Sequence, residues 1–193
     1  MYAVFNKIRS SLIKFYSFSD TQLQSLFDRL EVNSVNRKSV FSQKGTVCKK
    51  LAFVNSGSFR LHANGAHGDS TLDFFTEGCW MADFESLFSG SPSKYEIVAI
   101  EESEVLLLSL KDFHQLIKED ISYLQLNRIV AGSATHQSHY MKLSTQTPEE
   151  RFRQFMTERS EWLIRFPQRH IASYLGMTGS TFSRVKKKSM KSQ

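Results

Sequence analysis

The sequence predicts an α+β chain of 193 residues: a β-rich N-terminal half, then a long helix, then a C-terminal helix-turn-helix. Three observations lead there. Short β-prone pieces separated by turn residues fill the stretch from Val32 to about Leu110. From Phe113 a helical apolar periodicity runs without punctuation to about Leu143. Gln168 to Lys187 meets the spacing demands of two helices joined by a tight turn.

Near the N-terminus, Asp20 to Leu30 (DTQLQSLFDRL) sets Leu23, Leu26, Phe27 and Leu30 at helical spacing behind Asp20, a residue able to cap a first turn. The β-prone pieces that follow are SVF, LAFV, SFRL, TLDFF, YEIVAI and EVLLLSL. Turns are expected at Lys44-Gly45, Asn55-Ser56-Gly57, Asn64-Gly65, Glu77-Gly78 and Ser89-Gly90-Ser91-Pro92. Strands this short and this closely spaced predict a sandwich, barrel or roll and not a parallel α/β sheet.

In the expected long helix, Ile117, Ile121, Leu124, Arg128 and Ala131 lie on an approximately heptad seam that suits a dimer partner, with Gly132-Ser133 a local weak point. The polar break STQTP ends it, and Pro148 with Glu149-Glu150 opens the next helix. The expected domains are therefore 1–112, a β-rich sensor; 113–144, a dimerisation helix and hinge; and 145–193, a DNA-binding part.

Charge divides at the same place. Through Ser144 the chain has 15 Lys+Arg against 15 Asp+Glu, whereas Thr145 to Gln193 holds 10 against 4, so the whole formal excess of +6 lies in the last quarter. Such asymmetry points to an anionic partner for that end. Within it, Phe152, Phe155 and Met156 share one side of a helix, and Pro167 suits a first helical position. Ile171 and Leu175 form the buried face of the next helix, Ala172 is small where two helices must approach, and Gly176 stands where positive φ is needed. Met177 fills the space beneath the turn, Thr178 caps the second helix, and Phe182 and Val185 bury it. Its outward face, Ser180, Thr181, Ser183, Arg184, Lys187 and Lys188, lacks acids and suits phosphates and base edges in a major groove. Gln168 and Arg169 complete the expected DNA-contacting set.

Other chemistries find little support. Cys48 and Cys79 are too few for a four-cysteine cluster and are expected as buried thiols. His62 and His67 flank a hairpin turn as exposed polar residues, and His136 and His139 share a helix face without a third ligand. No nucleophile-base pairing or glycine-rich phosphate loop stands out, so no catalysis and no metal are expected. The longest apolar runs fall short of 18 residues, and Lys7, Arg9 and Lys14 interrupt the N-terminus. Neither a membrane span nor a signal peptide is expected, and the expected location is cytoplasmic.

The order of parts resembles the cyclic-AMP receptor protein and fumarate-nitrate regulator (Crp/Fnr) family. Lys44-Gly45 with Cys48 before LAFVNSGSFR carries the resemblance, as do EGCWMADFESLFSGSPS before IVAIEESEVLLLS, TPEERF and, most specifically, PQRHIASYLGMTGSTFSRVKKK. It implies a cyclic-nucleotide-binding-like double-stranded β-helix (jelly roll) and a homodimer formed through the 113–144 helix. It also implies a helix-turn-helix pair on a palindromic double-stranded DNA operator, with RNA polymerase as a candidate partner. The effector segment departs from the family, whose nucleotide-binding members carry Gly-Glu and then Arg-Ser or Arg-Thr. Here Ala82-Asp83 and Ser93-Lys94 stand at those places, with Phe84 and Tyr95 beside them as the expected pocket. Without the bidentate guanidinium no cyclic nucleotide is expected as cofactor, and the roll is left to bind another small-molecule effector or nothing. The reading end departs too: Gly179-Ser180 replaces the acid that many members use to read cytosine, and only SMKSQ follows the second helix, which predicts reduced backbone contacts. The alternative functions are an effector-binding or protein-interaction module that has lost DNA binding, and a cupin-type metalloenzyme, for which the histidine set is inadequate.

Overall fold

Strands form where β-branched and aromatic residues cluster between turn formers. The computed structural model describes residues 3–65, 68–128 and 145–191. The chain divides into two units, Met1–Leu61 with Phe74–Ala134, and His62–Asp73 with Thr135–Gln193.

The β-rich part contains strands β1 (Glu31–Val35), β2 (Val40–Ser42), β3 (Lys50–Ser56), β4 (Phe59–Gly65), β5 (Gly68–Phe75), β6 (Trp80–Met81), β7 (Glu96–Ala99) and β8 (Ser103–Ser109). They make two four-stranded sheets, ordered β1-β8-β3-β6 and β2-β7-β4-β5. The roll is thus realised, from the three β architectures the turn spacing allows. Strand β8 lies between β1 and β3, pairing Leu107 with Glu31 on one side and Leu106 with Phe53 on the other. A central strand covered on both faces calls for consecutive apolar residues, and Val105, Leu106, Leu107 and Leu108 are all buried.

Helices α1 (Asn6–Ile13), α2 (Asp20–Phe27), α3 (Phe84–Ser89) and α4 (Leu110–Glu119) complete the first unit. Ile8, Leu12, Leu26, Trp80, Leu87 and Leu116 join Leu106 and Leu108 in one apolar cluster. Ser19, and not Asp20, caps α2: its Oγ accepts from the Gln22 N–H at 3.2 Å, and the Ser19 N–H donates to Gln22 Oε1 at 2.8 Å. Reciprocal satisfaction of two end groups favours that arrangement over a lone aspartate.

The helix expected to run from Phe113 stops at Glu119. Asp120 is extended (φ −150°, ψ 117°) and caps a 3-10 turn, Ile121–Leu124, by accepting from the Ser122 N–H at 2.8 Å. Its other oxygen accepts from Gln22 Nε2 at 2.7 Å, and Tyr123 Oη donates to the Gln22 carbonyl at 2.8 Å. These contacts compete successfully with helical continuation. Ile121, placed on the expected seam, is 69% exposed. The chain is helical again over 125–128, with Leu126 buried, and residues 129–144, including His136 and His139, lie outside the described residues.

Two polar expectations are corrected as well. His62 is buried, with Nδ1 2.9 Å from Asp69 Oδ1, since the acid on the facing strand gives the imidazole a partner away from water. Cys48 and Cys79 are half-buried free thiols, and burial pushes the Cys48 thiol up from its ordinary range. His67 is outside the described residues.

Gly57 shows what the β3–β4 turn requires. At φ 86° its added Cβ would overlap the Ser103 side chain and the Glu102 carbonyl, whereas Gly78, also at φ 86°, faces open space. Gly57→Ala is expected to destabilise by about 2–4 kcal/mol and Gly78→Ala by only about 1 kcal/mol, compared by urea unfolding.

Candidate functional site

The C-terminal residues of the second unit form α5 (Pro148–Arg159), α6 (Trp162–Arg165), α7 (Gln168–Tyr174) and α8 (Gly179–Lys191). Thr147 starts α5 through a capping box: its Oγ1 accepts from the Glu150 N–H at 3.3 Å, while its own N–H donates to Glu150 Oε2 at 2.8 Å. Pro148 follows at the first turn, where its missing N–H costs nothing. Pro167 falls one place earlier than expected, as the residue before α7 with ψ 131°, because its extended ψ turns the chain out of Phe166 before the helix begins.

The turn between α7 and α8 is built from named hydrogen bonds. The Met177 N–H donates to the Ala172 carbonyl at 2.8 Å and the Gly176 N–H to the Ser173 carbonyl at 2.9 Å, with Gly176 at φ 62°. This nested pair is the Schellman ending that a left-handed glycine permits. The Leu175 carbonyl is taken by Arg151, whose Nη1 donates from α5 at 2.7 Å. Across the turn, Thr178 Oγ1 accepts from the Thr181 N–H at 3.2 Å and so caps α8.

Aromatic packing holds the four helices. Phe152 of α5 meets Phe182 of α8 edge-on at 5.7 Å, and Trp162 of α6 meets Phe166 at 5.4 Å and Tyr174 of α7 at 5.7 Å. The Arg159 guanidinium lies 4.2 Å from the Trp162 ring centre. Ile171, Ala172, Leu175, Met177, Phe182 and Val185 are all buried. Burial pushes the Tyr174 phenol well above its ordinary range. In the same unit, Ser173 Oγ accepts from the Thr71 N–H at 2.9 Å, a pairing that nothing in the local pattern signals.

With Phe182 and Val185 turned inward, α8 leaves Ser180, Ser183, Arg184, Lys187 and Lys188 exposed and Thr181 half-buried. Gln168, Arg169 and Thr178 are exposed as well. Glu149 lies 3.8 Å from Lys188 at the cationic end.

The expected effector segment in the first unit is occupied by its own side chains. Asp83 is 2% exposed and caps α3, accepting from the Ser86 N–H at 3.1 Å and from the Ser93 hydroxyl. Ser93 Oγ also accepts from the Tyr95 N–H at 3.0 Å. Lys94 Nζ lies 2.5 Å from Glu85 Oε1, and the Glu85 carboxylate holds that exposed ammonium above its ordinary range. Phe84 is buried and stacks on Phe88. Ala82 and Asp83 line an open cleft of about 680 Å³; Phe84, Ser93, Lys94 and Tyr95 do not.

Residues 32–120 match the family model described as the cyclic nucleotide-binding domain. Among solved structures, FixK2 from Bradyrhizobium japonicum is 20% identical with a TM-score of 0.73, over 84% of this chain and 85% of that one. A putative transcriptional regulator of the Crp/Fnr family from Eubacterium rectale is 17% identical with a TM-score of 0.64, over 87% and 82%. The fold is that of the Crp/Fnr regulators. A CooA variant from Carboxydothermus hydrogenoformans aligns over 94% of this chain and 83% of that one, at 15% identity and a TM-score of 0.70. No curated protein matches this chain by sequence. Among the described residues no helix is long and apolar enough to cross a membrane.

Two outcomes are expected for the C-terminal helices. Arg151→Met leaves the Leu175 carbonyl without its charged donor and should cost about 1–3 kcal/mol of stability, read from urea unfolding. Hydrogen bonds from the Thr147 backbone and hydroxyl hold the Glu150 carboxyl below its ordinary 4.5. A depressed folded value makes this contribution complete above the unfolded value and lost as pH falls through the folded one. Acidification below about pH 4.5 should therefore destabilise the wild type more than Glu150→Gln, measured by thermal melts across pH.

Proposed function

We propose that this chain is a homodimeric DNA-binding transcriptional regulator in which residues 168–191 act as a helix-turn-helix. The observation that carries the reading is the outward face of α8: hydroxyls at Ser180, Thr181 and Ser183 and cations at Arg184, Lys187 and Lys188, opposite buried Phe182 and Val185. Arg184 and the lysines serve phosphates or guanine edges, the hydroxyls serve phosphates or bases, and Gln168, Arg169 and Thr178 add backbone contacts. Residues 113–144 would supply the dimer seam and set a palindromic operator, residues 1–112 the sensor, and residues 145–193 the DNA-binding domain; RNA polymerase is the further partner this role entails.

The sensor on this reading has an altered cyclic-nucleotide pocket. Asp83 is committed to Ser86 and Ser93, and Lys94 to Glu85, which leaves no fixed fork of donors for a cyclic phosphate. Equilibrium dialysis with cyclic AMP and cyclic GMP is expected to give no stoichiometric complex at micromolar concentrations.

Fluorescence anisotropy with duplex DNA tests the main proposal. Affinity should fall steeply with salt, and Arg184→Ala with Lys187→Ala and Lys188→Ala should reduce the slope of log K against log salt by about 3. A triple variant that binds as the wild type does would refute it. Selection from random duplexes should enrich a palindrome; enrichment of nothing would favour an interaction module that has lost DNA binding.

A further inference from the structure

The open cleft of about 680 Å³ runs along β1 and β2, each at an edge of its sheet. Its size falls within the range of small-molecule sites, about 300–1,000 Å³. Val35, Ile97 and Leu107 form a buried apolar floor, and Phe41 stands half-buried beside them, edge-on to Phe59 at 5.6 Å. The rim is polar, with Asn36, Ser42, Thr46 and Lys49 among its groups. An apolar floor beneath a hydrogen-bonding rim suits a ligand with an apolar body and a polar end.

Charge selects the polar end. Residues 31–50 hold five Lys or Arg and one acid, Glu31. That acid is already 3.0 Å from Lys50. The one carboxylate of the lining, Asp83, is turned to the Ser86 N–H and the Ser93 hydroxyl. Among the described residues, no carboxylate pairs with Lys49. Of these cations only Lys49 and Lys50 line the cleft, and with Lys50 on Glu31 and Asp83 turned away, the Lys49 ammonium is the charge left to favour an anion.

We propose that this cleft binds a small organic acid, its apolar body on Val35, Phe41, Ile97 and Leu107 and its carboxylate at Lys49. The site shares Ala82 and Asp83 with the expected effector segment, whereas Phe84, Ser93, Lys94 and Tyr95 take no part in the lining. It also stands independently of the DNA-binding reading.

The test uses 2-naphthoate and its uncharged analogue 2-naphthalenemethanol on the full chain, followed by amide NMR. Naphthoate should shift amides within 33–50 and at Ala82, Asp83 and Ile97 while leaving those of 168–188 unmoved. Lys49→Gln, an exposed position where a matching far-UV melt checks the fold, should weaken naphthoate about three- to tenfold and leave the alcohol unchanged. Ser42→Trp, which fills the cleft, should abolish binding of both. Shifts elsewhere, no saturable shifts, or equal affinity of both probes for wild type and Lys49→Gln would overturn the proposal. Because DNA is absent from every arm, failure here leaves the DNA-binding proposal standing, and the converse holds.

Discussion

The roll depends on one strand being buried from both sides. Strand β8 donates and accepts along β1 and β3, and its four consecutive apolar residues, Val105 to Leu108, face both the sheet-to-sheet interior and the helical cluster. A single polar residue among them would leave an unpaired group away from water at a cost of about 1–3 kcal/mol or more. With β8 placed, β3 must lie beside it in the observed register. The cluster of Ile8, Leu26, Trp80 and Leu116 then has one surface on which to collect. The helices of the first unit owe their positions to that surface more than to their own propensities, which in segments of eight or ten residues are marginal.

The helix pair in the second unit rests on end groups. Helix α7 has only seven residues, so its unsatisfied carbonyls are a large fraction of its backbone polarity. Gly176, Met177 and Arg151 deal with them in turn, two through the local Schellman geometry and one through a guanidinium from α5. Those contacts set the angle at which α8 leaves the turn. Which residues of α8 face outward then follows from the burial of Phe182 and Val185.

The segment from Ala82 to Tyr95 is held by partners of its own. An aspartate beside the α3 N-terminus is short enough to cap that helix and receive the Ser93 hydroxyl, so its charge is spent within the chain. Lys94, a flexible point charge, swings to Glu85 instead of holding a fixed bidentate geometry. The concavity that remains lies toward β1 and β2, with different chemistry at its rim.

Features legible in the sequence were those decided within a few residues. The strand pieces, the turns at Gly45, Gly57, Gly78 and Gly90, all at positive φ, and the burial of Ile171, Leu175, Phe182 and Val185 follow from periodicity and turn chemistry. The chain's own charge division likewise needed no coordinates. Partners distant along the chain decided the rest. The helix stops at Asp120 because Gln22, 98 residues away, competes for its side chain, and the turn at Leu175 is anchored by Arg151, 24 residues away. The cleft draws its lining from β1, β2, β7 and β8 and from Ala82 and Asp83, which are far apart in the chain. Local order is encoded by spacing that can be counted, whereas these contacts depend on which surfaces meet after collapse, and only the tertiary structure decides that.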